Sequence, residues 1–267
     1  MSPSAPFYDG QGKVVLVAGG TSGINRGIAR RFAEAGASVF VFSRSESKVM
    51  DTVTELEGLN TRAAGAVADV RRYDEVEAAF DRCVAQFGPI DVVVSGAAGN
   101  FPAWARNISS NGFRAVMEID VLGSHHVMAA AYERMLRPGV LINISAAASF
   151  RPMIGQMHVC AAKAGVDQIT RTLALEWGPE GLRVNSVVPG PVADTEGFRR
   201  LTPNAAAAER RINSIPLRRA ATSDEVGDLC LFLASPRASY ITGAVIPVDG
   251  GASLGAPADG LAPALDR

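Results

Sequence analysis

The sequence predicts an α/β protein, a single doubly wound parallel sheet with helices on both faces. Three observations carry that prediction. Short apolar runs alternate with amphipathic stretches along most of the 267 residues, the pattern of strands buried on both faces under crossover helices. The first apolar run passes directly into a glycine-rich turn and then a stripe at helical spacing. No composition break or repeat divides the chain.

Lys13-Val-Val-Leu-Val-Ala18 is the first strand and Gly19-Gly-Thr-Ser-Gly-Ile-Asn-Arg-Gly27 the turn; Ile28, Phe32 and Ala33 then carry a helix to Gly36. Strand, glycine turn and helix in that order let backbone approach a pyrophosphate, which rests on the helix's N-terminal amides. Gly19, Thr21, Ser22, Gly23 and Ile24 are therefore candidate dinucleotide ligands, and the expected fold is of Rossmann type. Ser38-Val-Phe-Val-Phe42 is the second strand, ending in Ser43-Arg44 with no acid. A site selecting NAD places Asp or Glu here, whereas arginine suits a 2′-phosphate. Ser43 and Arg44 thus point to NADPH/NADP+, with the opening of the next helix as the alternative for Ser43.

The alternation continues with a strand over Ala64–Val70, a helix from Tyr73 to Phe87 and a strand Ile90-Asp-Val-Val-Val94 running into Ser95-Gly-Ala-Ala-Gly-Asn-Phe101. A helix is expected from about Asn111 to Leu136, then the strand Gly139-Val-Leu-Ile-Asn-Ile144, a helix opening near Gln156, and the strand Leu182-Arg-Val-Asn-Ser-Val-Val188. Residues 189–221 read as an irregular substrate-side insertion with an Arg-rich helix. Thr222-Ser-Asp-Glu225 is a capping box, and Ala244-Val-Ile-Pro-Val248 is the last strand. The expected organisation is an N-terminal arm (1–12), one domain (13–254) and a C-terminal tail (255–267).

Two helices each carry a charge on an apolar stripe. In one, Val159, Val166, Thr170, Leu173 and Trp177 recur at three- and four-residue spacing, and Lys163 lies among them. Only three of the 26 basic residues are lysines, so a lysine on a core face stands out. Either its stem is buried with the ammonium reaching water, or the amine is paired and used. In the preceding helix Phe113, Val116, Met117, Asp120, Val127 and Met128 share a face. Opposite charges buried on two helices suggest a pair. Ligands of open parallel sheets bind beyond the carboxyl ends of the strands, near which both helices begin.

Composition narrows the function classes. A net charge of −1 and the absence of a basic run give no footprint for nucleic acid. No apolar stretch approaches the roughly 20 residues of a membrane helix, and the first residues lack the pattern of a signal peptide. Cys83, Cys160 and Cys230 are odd in number and widely spaced, indicating neither disulfides nor a metal site. A cytoplasmic protein is expected.

From about Lys13 to Gly251 the sequence resembles the short-chain dehydrogenase/reductase family. The resemblance rests on Gly19-x-x-x-Gly23, Ala68-Asp69-Val70, Val184-Asn-Ser, Pro189-Gly190, and Tyr240-Ile-Thr-Gly243 with Val248-Asp-Gly-Gly251. It implies that Asp69 and Val70 bind the adenine, Lys163 the nicotinamide ribose, and Val192 with Pro189 and Gly190 the carboxamide side. Thr195 belongs to the same cofactor set. It also implies a homotetramer paired through the helices that hold Asp120 and Lys163.

The departures from the family pattern are specific. The tyrosine that carbonyl-reducing members carry four residues before the lysine is Val159, and the serine seventeen before it is Ala146, with Ser145 one place off. The helix asparagine is Asp120, the family's Asn-Asn-Ala-Gly reads Ser95-Gly-Ala-Ala98, the opening threonine is Ala18, and the last turn glycine is Asn25. Asparagine tolerates left-handed backbone better than most residues, so the turn is expected to survive. Valine and alanine neither give nor hold a proton, which disables concerted ketone reduction. Conjugate reduction differs: hydride adds to the far end of an unsaturated thioester, and donors steady the enolate oxygen while carbon is protonated separately.

Within the family the chain is most similar to the peroxisomal-type 2,4-dienoyl-CoA reductases, on Ala97-Ala-Gly-Asn-Phe101, Ile119-Asp120 with Gly123, His158, Gly190-Pro191, Thr195-Glu-Gly197 and Ala238-Ser-Tyr-x-Thr-Gly243. That resemblance implies catalysis by Asp120 and Lys163. It also implies acyl-CoA contacts at Phe101, Ser110 and Asn111, with His158 beside them. The C-terminus, Leu265-Asp-Arg267, is no peroxisomal signal. Two rivals remain: a reductase of a ketone or 3-ketoacyl substrate with His158 replacing the tyrosine, and a catalytically silent NADP-binding assembly partner. His125-His126 reads as surface or interface, since adjacent helix residues do not face one another. Cys160 reads as packing. Arg199-Arg200 and Arg210-Arg211 read either as contacts for CoA phosphates or as a solvated face.

Overall fold

A computed structural model describes residues 8–255; the first seven residues of the expected arm, and the tail from 256 with Leu265-Asp-Arg267, lie outside them. The apolar runs form seven strands: β1 (Val14–Ala18), β2 (Ser38–Ser43), β3 (Ala63–Val67), β4 (Ile90–Ser95), β5 (Met135–Ile144), β6 (Leu182–Pro189) and β7 (Val245–Val248). They pair in parallel in the order β3-β2-β1-β4-β5-β6-β7. After β3 the chain returns past β1 to build the other half, so the crevice opens between the carboxyl ends of β1 and β4.

Helices cover both faces, because strands such as β1 and β4 are buried along their whole length and neither face can meet water. On one face α1 (Gly23–Glu34), α2 (Glu46–Glu57) and α9 (Ser223–Ala234) pack Ile28, Phe32, Leu56, Val226 and Leu233 onto Val15, Val17 and Val39. On the other, α3 (Tyr73–Phe87), α5 (Gly123–Tyr132) and α6 (Met157–Trp177) set Phe80, Val127, Met128 and Ala174 against Leu16, Phe40 and Leu141. α9 opens with the expected capping box, Thr222 and Glu225 each satisfying the other's backbone N–H. Within residues 189–221 lie α7 (Glu196–Leu201) and α8 (Ala205–Asn213). Among the described residues no helix is long and apolar enough to cross a membrane. Tyr8, from the expected arm, is buried edge-on against Phe32 with ring centroids 5.5 Å apart.

Two expected boundaries move. The third strand ends at Val67 rather than Val70. Beyond it the Asp69 N–H is captured by Glu75 at 2.9 Å and the Arg71 N–H by Asp69 itself at 3.0 Å, a local turn that replaces pairing with β2. The helix expected from Asn111 to Leu136 runs instead as α4 (Ser110–Met117), a π-helical turn (Glu118–Leu122) and α5, and stops at Tyr132. Pro138 lacks the N–H a helix needs and biases Arg137 toward extended backbone, so β5 begins early, at Met135.

Candidate active site

The crevice beyond β1 and β4 has a volume of about 250 Å³ and is lined by Gly19, Thr21, Ser22, Asn25, Phe42, Ser43, Arg44, Ala68, Asp69, Val70, Gly96, Ala97, Ala98 and Ile119. Gly19 has φ +73°, and a Cβ there would press on Ala97 at 3.0 Å, so this step of the turn requires glycine. α1 begins at Gly23 without a side-chain cap and with no acid in its first turn. Its first amides therefore have no side-chain acceptor, as a pyrophosphate site requires. Thr21 donates to Ser43 Oγ at 2.8 Å, so Ser43 closes β2 and ties it to the turn instead of opening α2, which Ser45 precedes. Arg44 is exposed at the rim, with no hydrogen bond or ion pair among the described residues. Asp69 is gripped by the Arg71 guanidinium, Nε lying 3.0 Å from both carboxylate oxygens. That grip holds its carboxyl below the usual range. These features fit a nicotinamide dinucleotide, and the Arg44 guanidinium at the rim is unpaired among the described residues.

Asn25 departs from expectation. Its backbone is helical, inside α1, rather than left-handed. A glycine here keeps the helix close to the loop after β4; the asparagine side chain instead reaches that loop, Nδ2 donating to the Gly96 carbonyl at 2.7 Å. Thr195 caps α7 by accepting from the Phe198 N–H at 3.1 Å. Its methyl comes within 3.6 Å of where a Gly23 Cβ would stand, bringing the insertion over the turn. Val192 is buried and bridges to Ala221. Gly190 passes so close to Asp249 that a Cβ would meet its Cα at 2.6 Å. Pro189, Gly190, Val192 and Thr195 therefore stand together on the insertion side, outside the residues lining the crevice itself.

The two stripe charges meet. Lys163 Nζ lies 3.1 Å from Asp120 Oδ2 and donates to the Ile144 carbonyl at 3.1 Å. Asp120 Oδ1 accepts the Gly99 N–H at 2.7 Å. Asp120 sits in the π turn, a geometry frequent at functional sites, and is fully buried; Lys163 is 6% exposed. The ammonium lies off the hydrogen-bonding direction of Oδ2, which keeps a lone pair unused among the described residues. Leu173 and Trp177 of the expected stripe are only partly buried, and His158, Ala162, Asp167 and Ala174 are buried on α6 instead.

Where carbonyl reduction would need its acid, Val159 packs in a small apolar cluster with Val116, Ala148 and Ala162, with Ala146 and Cys160 against it. Ser145 is buried, its hydroxyl without a partner among the described residues. Nearby, Phe101 lies between two elements. Its ring tip comes 3.0 Å from where a Cβ on Gly112 would stand, and its centroid is 4.3 Å from that of His158. Ser110 and Asn111 are exposed in the first turn of α4, one residue from Gly112. Phe101 thus touches both His158 and the Gly112 backbone, and Ser110 and Asn111 precede Gly112 on the same helix turn. Sequence reasoning missed the Asn25–Gly96 bond, the Ile144 carbonyl on Lys163 and the full burial of His158. It also missed that His126, read as surface or interface, pairs through Nδ1 with the Val70 carbonyl at 2.8 Å. Such contacts join residues far apart in the chain, and residue spacing carries no signal for them.

Residues 18–253 match the family model described as enoyl-(acyl carrier protein) reductase. The peroxisomal 2,4-dienoyl-CoA reductase [(3E)-enoyl-CoA-producing] of Pongo abelii is 42% identical over 250 residues, covering 92% of this chain and 86% of its own. A probable 2,4-dienoyl-CoA reductase [(2E)-enoyl-CoA-producing] of Bacillus subtilis is 37% identical, with coverages of 90% and 96%. Among solved structures, a short chain dehydrogenase from Bacillus anthracis superposes with a TM-score of 0.83 at 35% identity, covering 90% of this chain and 96% of that one.

Proposed function

The chain belongs to the short-chain dehydrogenase/reductase family, and we propose that within it the protein is an NADPH-dependent reductase of 2,4-dienoyl-CoA thioesters. One observation carries this reading: the proton-relay positions are the apolar Val159 and Ala146, while Lys163 is kept and paired with Asp120 at 3.1 Å. Such a site has lost the acid for ketone reduction and retained the means to hold a cofactor and organise charge. The relatives named as dienoyl-CoA reductases support the same choice of substrate.

A nicotinamide held in the crevice would supply the hydride for the far end of the conjugated system, and one proton from water would complete the two-electron reduction. In this proposal the α1 amides and the Gly19–Ile24 turn hold the pyrophosphate, Arg44 the 2′-phosphate, and Asp69 and Val70 the adenine. Lys163 holds the ribose, and Pro189, Gly190, Val192 and Thr195 the carboxamide side. Asp120 has no exposure, so it acts through Lys163: its charge holds the ammonium at 3.1 Å while the Ile144 carbonyl takes one N–H, leaving the remaining donors for the site. Phe101, Ser110, Asn111 and His158 receive the acyl-CoA. As part of the same proposal the protein is cytoplasmic and a homotetramer, the assembly being favoured by Leu122 and Leu175, which are 41% and 80% exposed on the helices of the Asp120–Lys163 pair. Sedimentation in solution checks the oligomer.

Mixing the protein with NADPH and 2,4-hexadienoyl-CoA should consume both in equal amounts. No turnover, with activity on a ketone or 3-ketoacyl thioester, would sink the reading; NADPH binding without turnover of any acyl-CoA would favour a silent assembly partner.

A further inference from the structure

His158 is an anomaly that packing does not explain. Its imidazole has no exposed surface, yet neither Nδ1 nor Nε2 has a hydrogen-bond partner among the described residues. An imidazole always carries at least one N–H donor, and leaving buried polar atoms unpaired destabilises a fold; a site that keeps such a group needs an explanation for it. An apolar ring of the same size would pack here without that cost.

What covers the imidazole suggests what it is for. Phe101 lies over it at 4.3 Å between centroids and is itself 37% exposed. The loop carrying Phe101 is pinned on both sides, by the Gly99 N–H on Asp120 at 2.7 Å and by the Ala103 N–H on the Gly155 carbonyl at 3.0 Å. Between those pins the Phe101 side chain can turn without moving the backbone that holds Asp120. On its other side the ring rests on the bare backbone of Gly112. His158 is thus a fully buried hydrogen-bonding group without a partner among the described residues, with the part-exposed ring of Phe101 packed against it.

We propose that His158 is the donor to the substrate's thioester oxygen, uncovered when the acyl group displaces the Phe101 ring. The inference rests on the reading of the protein as a dienoyl-CoA reductase and supplies what that reading lacks, a group for the oxygen on which charge develops. A donor buried until substrate arrives needs little solvent reorganisation when that charge appears. The same orphaned atoms that weaken the free protein are satisfied in the complex.

The test compares wild type with His158→Phe and His158→Gln. Turnover of 2,4-hexadienoyl-CoA by wild type is established first, so that a failure of the enzyme reading is seen separately. His158→Phe is then expected to lower kcat by about 100-fold or more, the usual effect of removing one oxyanion donor. NADPH affinity should be unchanged and the melting temperature equal or higher. His158→Gln, which keeps a donor, should recover part of the rate. Full kcat in His158→Phe, or a fall in melting temperature that accounts for the lost rate, would overturn the proposal in favour of packing. Phe101→Ala tests the cover without turnover. Diethyl pyrocarbonate should modify one more histidine in the variant than in wild type; an unchanged count would overturn it.

Discussion

Asn25 and Gly96 occupy one volume. A Cβ on Gly96 would stand 2.1 Å from Asn25 Oδ1, and the Asn25 amide donates to the Gly96 carbonyl at 2.7 Å. The family pattern has glycine at the first position and asparagine at the second. Here the side chain has moved from the loop to the helix, so two apparent departures are one exchange. The bond ties the cofactor turn to the loop that hands its Gly99 N–H to Asp120.

The pair should therefore be energetically coupled. Gly96→Ala alone is expected to destabilise by about 1–3 kcal/mol through overpacking. The same change in an Asn25→Gly background should cost at least about 1 kcal/mol less. Denaturant unfolding of the four proteins gives the cycle; additive effects would show that the two sites are independent.

Asp120 is expected to work by charge and not only by its hydrogen bond to Gly99. Asp120→Asn retains an acceptor for that N–H but leaves the Lys163 ammonium buried without a counter-charge. Breaking such a pair costs about 3–5 kcal/mol, and kcat should fall about 100-fold. Steady-state kinetics beside thermal melts would detect both; a variant with normal kcat refutes the coupling to Lys163.

Arg44 should select the cofactor. Loss of charge-assisted hydrogen bonds worth about 1.5–3 kcal/mol predicts NADPH binding weakened by about 10- to 100-fold in Arg44→Ala, with NADH little affected. Fluorescence titration with each dinucleotide decides it, and equal losses for both would remove the argument for a 2′-phosphate.

Restoring the tyrosine is expected to fail. Val159 is packed with Val116, Ala148 and Ala162, so Val159→Tyr should cost about 1–3 kcal/mol and confer no ketone reduction while Ala146 remains. A stable, ketone-reducing single variant would show that the cluster is no barrier.

The capping box supplies a pH signature. The Arg219 guanidinium, with the Thr222 backbone N–H, holds the Glu225 carboxyl down at about 2. Because its folded value lies below the unfolded one of roughly 4.3, the contribution to stability is complete above that value and is lost as pH falls toward 2. Glu225→Gln should flatten that part of the stability–pH curve. Its exposure and screening keep the effect at neutral pH near about 1 kcal/mol.

The sequence alone determined the order of strands and helices, the parallel sheet and the crevice-forming turn. Each of those follows from local periodicity or from a backbone step only glycine takes. It also marked Asp120 and Lys163, because a charge on an apolar stripe is visible as spacing, and it marked the loss of tyrosine and serine as Val159 and Ala146. Tertiary structure decided the rest: that the two charges meet, that Asp120 is buried in a π turn and lies against Lys163, that Asn25 replaces a side chain lost at position 96, and that His158 is buried against Phe101. Helical period locates a face to within a turn, while these contacts depend on angstrom-scale approach between segments tens of residues apart, which packing of the whole sheet and its helices sets.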